Sequence, residues 1–162
     1  MESRDPNEGF LVPAGKDRFN NNDLKIWGLI PLATKLSAED TGGALFVFEH
    51  RNMAKGGPPR HVHHKQDEWF YVVQGEFAVE VGENKYRLKP GDSMFAPREV
   101  PHAWTQISNE PGTMLTIASP AGTFETFMRD TTKHQSIPSQ ADIAKAFAAH
   151  DMTVVGPPLA VD

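Results

Sequence analysis

The sequence contains no cysteine. This absence excludes disulfide bonds, thiolate nucleophiles and metal sites held by thiolates, so histidine and carboxylate side chains are the strong metal ligands that remain. Runs of Lys or Arg are also missing, and the formal net charge is -5. We therefore expect no nucleic-acid partner, because proteins that bind a phosphate backbone carry a clustered basic surface.

Long apolar stretches are absent as well. No run approaches the ~20 apolar residues that a membrane-spanning helix needs. The first ten residues, MESRDPNEGF, have no apolar segment behind a basic one and do not resemble a secretory signal. The sequence thus predicts a cytoplasmic protein without a membrane partner. Its 162 residues, 39% of them hydrophobic and 23% charged, favour a single domain over residues 1–162.

Short apolar stretches separated by turn residues fill the middle of the chain. Turn signals such as KPGD at residues 89–92 recur roughly every 8 to 12 residues, which is typical of all-β sandwiches and barrels. Within one stretch Phe77, Val79 and Val81 alternate with polar or small neighbours, as in a strand with one buried face. We predict an all-β barrel over about residues 24–128. Pro31 predicts that residues 25–36 form an edge or bulged strand.

One α-helix is predicted near the end of the chain, over about residues 139–150. Ser139 and Asp142 resemble a capping box. Apolar or aromatic residues then recur at helical spacing, namely Ile143, Ala146, Phe147 and His150. We expect this helix to lie against the outside of the β body, and the prolines after Gly156 to stop further regular structure.

The stretch from Gly56 to Gly75 has the pattern of a metal site. His61 and His63 are two residues apart in strand-like sequence and would therefore point to the same face. Glu68 opens the next apolar run and could fold back beside them. Two imidazoles and one carboxylate suit Fe, Mn, Ni, Cu, Co or Zn better than Ca or Mg. A further ligand or water is needed, and His102 is the later histidine in strand-like sequence.

These residues resemble the two motifs of the cupin superfamily. The first, G-x5-H-x-H-x3-4-E-x6-G, matches from His61 to Gly75, although its leading glycine falls one residue late at Gly56. The second, G-x5-P-x-G-x2-H-x3-N, matches at Gly91, Pro97 and His102.

Two positions of the second motif depart from the family pattern. Glu99 replaces a glycine, which suggests a different turn before His102, because a non-glycine residue is strained at positive φ. Gln106 replaces an asparagine on the same strand face as His102. Neither position is a ligand in the family motif.

The resemblance implies a jelly-roll barrel of the RmlC-like type, also called a double-stranded β-helix, with the C-terminal helix added to it. It implies one divalent transition metal per chain, held inside by His61, His63, Glu68 and His102. One or two coordination positions would stay open for a small-molecule substrate and for O2. Single-domain members commonly form homodimers, and the Pro31 segment could supply such an interface.

Within the superfamily, the stretch HVHHKQDEWFYVVQGEF is similar to the quercetin 2,3-dioxygenase-like single-domain group. That resemblance implies oxidative cleavage of a flavonol or another small chelating enol, with Glu68 as the catalytic base for the substrate hydroxyl. Two alternatives stay open. The protein could bind a small molecule through the metal without catalysis, or use the metal as a Lewis acid for isomerisation or decarboxylation.

Strand parity suggests which side chains line a substrate pocket. Phe70 shares the parity of Glu68, while Trp104 and Gln106 share that of His102. Phe77 is the fourth candidate. Three further basic side chains have open roles: His64 alternates out of the ligand face, while Arg60 and Arg98 could steer an anionic substrate or be plain surface charges. The remaining histidines, His50, His134 and His150, are predicted to be surface residues.

Overall fold

Two facing antiparallel β-sheets form the body of the protein. The structure, a computed structural model, describes residues 5–161; residues 1–4 and 162 of the predicted domain lie outside the described residues. In chain order the strands are β1 (Lys25–Ile26), β2 (Ile30–Pro31), β3 (Ala33–Leu36), β4 (Phe46–Met53), β5 (Pro59–His63), β6 (Asp67–Gln74), β7 (Phe77–Val81), β8 (Asn84–Leu88), β9 (Ser93–Ala96), β10 (His102–Gln106), β11 (Gly112–Ser119) and β12 (Met152–Pro158). The helices are a 3-10 helix (Ala38–Thr41), α1 (Phe124–Thr131) and α2 (Gln140–Ala148).

The sheet orders explain how the barrel closes. One sheet has the order β12-β5-β10-β7-β8 and the other β3-β4-β11-β6-β9. Six of the eight neighbouring pairs join strands that are not consecutive in the chain, and β1 and β2 form a separate hairpin. The predicted all-β architecture with a C-terminal helix is confirmed.

Alternating side chains fill the space between the sheets. On β4, Phe46, Phe48 and His50 are buried while their neighbours are partly exposed. Strand β6 buries Glu68, Phe70 and Val72 in the same manner. The inward set is therefore the one that period-two patterning predicts.

Three parts of the sequence-based prediction need correction. Residues 25–36 form three strands rather than one, namely the β1–β2 hairpin and β3, while the predicted edge position and bulge are found on β3, whose register shifts between Thr34 and Leu36. Helix α1 is an addition, since one helix was expected. The C-terminal prolines do not end regular structure, because β12 continues to Pro158. Prolines are tolerated there because β12 is an edge strand, where one side of the backbone needs no ladder hydrogen bond.

Helix α1 is attached to the barrel through Glu125. This buried carboxylate accepts hydrogen bonds from the Ser37 hydroxyl and the Ala38 N–H, 2.7 to 2.9 Å away, and pairs with Arg129 one turn along the helix. Such charge-assisted hydrogen bonds fix the helix over one end of the barrel.

Helix α2 begins as the sequence predicts, with the Asp142 N–H donating to the Ser139 hydroxyl. It does more than cover the outside of the β body, because Phe147 reaches to 5.2 Å from the His61 ring. The β1–β2 hairpin, α1 and α2 together close one end of the barrel, and we call them the aromatic cap. Within residues 5–161, no helix is long and apolar enough to cross a membrane.

Candidate metal centre

The four predicted ligands lie together between the two sheets. His61 and His63 are on β5, His102 is on the neighbouring β10, and Glu68 faces them from β6 of the opposite sheet. Each offers one nitrogen or oxygen atom, and these atoms all lie within 4.8 Å of one another. All four side chains are buried.

Strand pairing explains this convergence. His102 is the direct partner of His61 in the β5–β10 pair. Glu68 has Ala118 and Ala96 as its partners on either side. The small alanines leave room for a carboxylate that turns inward, and the ligands thus depend on strand register rather than on flexible loops.

The distances inside the cluster fit ligand atoms that share one cation. The nearest Glu68 oxygens are 2.8 Å from His102 Nε2 and 3.4 Å from His63 Nε2, and the Nε2 atoms of His61 and His63 are 3.2 Å apart. The short His102 contact lacks hydrogen-bond geometry, so His102 Nε2 is a buried nitrogen without a proper partner among the described residues. A metal ion would satisfy these atoms together.

His61 shows which of its ring nitrogens faces the cluster as a ligand. Its Nδ1 donates a hydrogen bond to the carbonyl of Pro59, 2.7 Å away. A neutral imidazole with its proton on Nδ1 has a lone pair on Nε2, the atom that faces His63. Hydrogen bonds of this kind orient histidine ligands in metal proteins.

Burial and mutual charge set the protonation of the cluster. Burial lowers the pKa of His61 well below its usual range, and the nearby His102 and His63 act in the same direction. The pKa of His63 is also lowered by burial, although the charge of Glu68 opposes this. Burial raises the pKa of Glu68, but the imidazoles of His63 and His102 outweigh it and bring the value to about 2. Neutral imidazoles and an ionised carboxylate are the forms that bind metals.

A cavity of about 160 Å³ lies beside the cluster. It reaches the ligands at His61 and Glu68, and its walls are mostly aromatic and aliphatic side chains from the sheets and from the aromatic cap. Leu29 and Ile137, which are 60% and 56% exposed, mark its opening. The arrangement is an apolar chamber with an opening to the surface and a metal-binding group in its wall.

The four predicted pocket residues divide into two pairs. Phe70 and Trp104 line the cavity. Phe77 and Gln106 are buried but are not among the lining residues. The Gln106 amide instead donates to the backbone carbonyls of Glu110 and Met53, and the ring of Phe77 packs 6.0 Å from Trp104. Phe77 and Gln106 are therefore core residues and do not line the chamber.

His50 is a cavity residue that the sequence interpretation missed. It was predicted to be a surface residue, and this is wrong, because it is 2% exposed and lines the chamber. Its ring lies 5.3 Å from Phe48 and 5.2 Å from Trp104. Burial lowers its pKa to about 4, against the effects of its hydrogen bond to Pro31 and of Glu68. Its parity with Phe46 and Phe48 was the signal that could have placed it inside.

The other basic candidates lie away from the cavity lining. Arg60 pairs with Glu80 at 3.1 Å, and Arg98 pairs with Asp67 at 3.1 Å. His64 is an exposed residue whose two ring nitrogens contact Glu99 and Thr153 at 3.0 and 2.8 Å. None of the three is among the residues that line the chamber.

Glu99 differs from the expectation for its turn. The sequence suggested that a non-glycine residue would change the turn before His102, but Glu99 keeps a left-handed φ of +66°. Its N–H donates to the His63 carbonyl at 2.8 Å, which ties the turn to a ligand strand. The strain is therefore accepted in order to hold His102 and His63 in place.

Comparisons with known proteins agree with this geometry. Residues 50–118, which contain all four ligands, match the model of the cupin domain. An uncharacterised protein of Methanocaldococcus jannaschii is 28% identical over 60 residues, which are 37% of this chain and 48% of that protein. The chain thus spans about half the length of this curated relative.

Solved structures show the same fold. The RmlC-like cupin from Shewanella frigidimarina superposes with a TM-score of 0.53 at 25% identity, over 68% of this chain and 93% of the other. KdgF from a Halomonas species gives a TM-score of 0.54 at 24% identity, over 67% and 94% of the two chains. The domain match and the strand topology show that residues 50–118 form a cupin domain, and His61, His63, Glu68 and His102 lie together inside it.

Proposed function

We propose that the protein is a metal-dependent dioxygenase that cleaves a small chelating enol of the flavonol type. The observation that carries this proposal is the buried three-histidine, one-carboxylate cluster beside an apolar chamber. In such a reaction at least one carbon–carbon bond of the substrate is broken and both atoms of O2 enter the products. No external reductant is required.

The residues of the chain have separate tasks in this proposal. His61, His63, Glu68 and His102 hold one divalent transition metal, which when bound would bind the substrate oxygens and, if redox-active, make O2 reactive. Phe70 and Trp104 hold the substrate and keep out bulk water, which strengthens electrostatic interactions within the chamber.

Glu68 is the group proposed to receive the substrate proton. It lines the chamber, and its carboxylate is ionised at neutral pH because its pKa is about 2. An enol hydroxyl that enters beside it donates its proton towards a Glu68 oxygen. A Glu68→Gln protein that keeps full metal content and full turnover would rule out this role.

Oxygen uptake with chelating enols tests the proposed reaction. The metal-loaded protein is mixed with flavonols and smaller hydroxy-ketones, and O2 consumption and products are followed. The proposal predicts one O2 consumed per substrate cleaved. A change in the ligand spectrum without O2 uptake would instead indicate a metal-dependent binding protein. Equal turnover under argon would indicate Lewis-acid isomerisation or decarboxylation.

A homodimer is also part of this proposal, with its interface on β6 and β9 instead of the Pro31 segment that the sequence suggested. On the outer faces of the neighbouring strands β6 and β9, Trp69 stacks on Tyr71 and pairs across the strands with Phe95, which is 55% exposed. A second copy of the chain could cover this apolar surface. Light scattering on purified protein would measure the mass. The cytoplasmic location stays a prediction of the sequence.

A further inference from the structure

The volume of the chamber restricts the size of its ligand. About 160 Å³ is available beside the cluster. An apolar cavity of roughly 150 Å³ in another protein accommodates one benzene ring, whereas drug-sized ligands occupy sites of about 300 Å³ or more. One ring fits here, but a three-ring flavonol would displace side chains of the aromatic cap.

The lining also restricts the charge of the ligand. Among the described residues, Glu68 is the single lining side chain with a full charge at neutral pH, and no Lys or Arg lines the chamber. Arg60 and Arg98 are engaged with Glu80 and Asp67 elsewhere. A carboxylate or phosphate away from the metal would therefore be buried without a counter-charge, which is strongly unfavourable.

His50, in the wall of the chamber, can accept a hydrogen bond from a ligand. His50 Nδ1 donates a hydrogen bond to the Pro31 carbonyl at 2.8 Å. With its proton there, a neutral imidazole has a lone pair on Nε2. An edge-on contact with Phe48 and a tilted contact with Trp104 hold the ring in place. His50 Nε2 has no hydrogen-bond partner within the described part of the chain, so a ligand hydroxyl could donate to it.

We propose that the chamber binds an uncharged one-ring hydroxy-ketone, with its adjacent oxygens at the metal cluster and a hydroxyl at its far end that donates to His50. This inference rests on the proposed function, since it names the substrate class of the same site. It makes His50 a residue that determines specificity, and it disfavours flavonols as natural substrates.

Three ligands with the same chelating hydroxy-ketone group separate the effect of ligand size from the effect of the hydrogen bond to His50. Allomaltol and kojic acid are one-ring 5-hydroxy-4-pyranones that differ by a single hydroxyl, and 3-hydroxyflavone carries this group within three fused or linked rings. Their affinities are measured by calorimetry under argon on protein loaded with Zn(II), so that no redox step interferes. Metal-free protein gives the background from nonspecific apolar binding.

The expected result has two parts. Both one-ring ligands bind at least about tenfold more tightly than 3-hydroxyflavone, against the trend of increasing apolar area. Kojic acid binds roughly fivefold more tightly than allomaltol, as one neutral hydrogen bond allows. His50→Phe abolishes the second preference while allomaltol affinity is kept, and His134→Phe, at an exposed histidine, leaves both unchanged.

Different results would overturn the ligand class and the dioxygenase reaction. Tighter binding of 3-hydroxyflavone, or equal binding of kojic acid and allomaltol to the unmodified protein, would overturn the inference even if O2 uptake stands. Conversely, the expected affinities without any O2 uptake would remove the dioxygenase reaction and leave the ligand class. If His50→Phe does not fold, the affinities of the three ligands for the unmodified protein are sufficient to decide the question.

Discussion

The metal cluster and the aromatic cap are built from different kinds of structure. His61, His63, Glu68 and His102 extend from central strands of both sheets, and hydrogen-bonded register fixes their positions. In the aromatic cap, Trp27, Phe127 and Phe147 pack with ring centroids 4.9 to 6.4 Å apart, and Phe147 touches the cluster at His61. The strands therefore determine which ion can bind, whereas the cap determines the size of the ligand. We expect substitutions in the cap that do not touch a ligand to leave metal binding unchanged.

The largest expected effect is on metal affinity. His102→Ala removes one of four ligands, and we expect at least about a 100-fold loss, since removing even an outer-shell partner of a ligand costs about 10- to 100-fold. Metal content after dialysis, measured by mass spectrometry, checks this. The matched control is His134→Ala at an exposed site, and equal metal content in the two variants would refute the ligand assignment.

A substitution in the cap should change stability without changing metal content. Phe127 is buried against Trp27 and Phe147, so Phe127→Ala should lower the free energy of unfolding by about 3 kcal/mol. Urea denaturation measures this, and metal content should stay at one ion per chain. Ile137→Ala, at the exposed opening, should change stability by less than about 0.5 kcal/mol. Loss of the metal in Phe127→Ala would show that the cap and the metal cluster do not act separately.

His50 lines the chamber and should give the protein a measurable pH dependence. Its pKa is about 4 when folded and 6.5 as the ordinary value. Between these values the unfolded chain binds a proton that the folded chain does not, so stability falls as the pH drops through this window. From about pH 7 to about pH 5, wild type should lose about 2 kcal/mol more than His50→Gln.

Urea denaturation of both proteins at the two pH values checks this difference. Contributions from the other histidines are common to both proteins and cancel in the comparison. Parallel curves for wild type and His50→Gln would mean that His50 is not buried in its neutral form.

The smallest effect concerns the turn before His102. Glu99→Gly removes the strain of a left-handed non-glycine residue and should stabilise the protein by roughly 1 kcal/mol. Glu99→Ala is the control, because it removes the exposed contact with His64 but keeps the strained φ. Thermal unfolding should rank Gly above Glu, and Ala at or below Glu. Equal gains in Gly and Ala would assign the effect to the side chain.

The sequence predicts the metal cluster far better than the aromatic cap. The ligands can be predicted because residues two apart on a strand point to the same face, and because His61, His63 and Glu68 lie within eight residues of one another. Glu99 was misjudged, since backbone strain is compensated by tertiary hydrogen bonds that local sequence does not contain. His50 could have been found from the parity of β4.

The cap could not be predicted, for a physical reason. Its aromatic residues come from segments about 100 residues apart in sequence, such as Trp27 and Phe127, which meet at 6.4 Å. No periodic pattern connects such segments, and helix α1 is a short element whose position depends on the buried Glu125 contacts to residues 37 and 38. The size of the ligand site thus depends on tertiary contacts between distant segments, whereas most of the metal ligands can be recognised from local sequence.

The central claim is that His61, His63, Glu68 and His102 hold one transition-metal ion. Anomalous diffraction from a crystal of protein purified without chelators tests this most directly. We predict a single strong peak per chain, about 2.0 to 2.2 Å from the three Nε2 atoms and one Glu68 oxygen. Absence of a peak between these side chains after metal loading, or a peak elsewhere alone, would contradict the account.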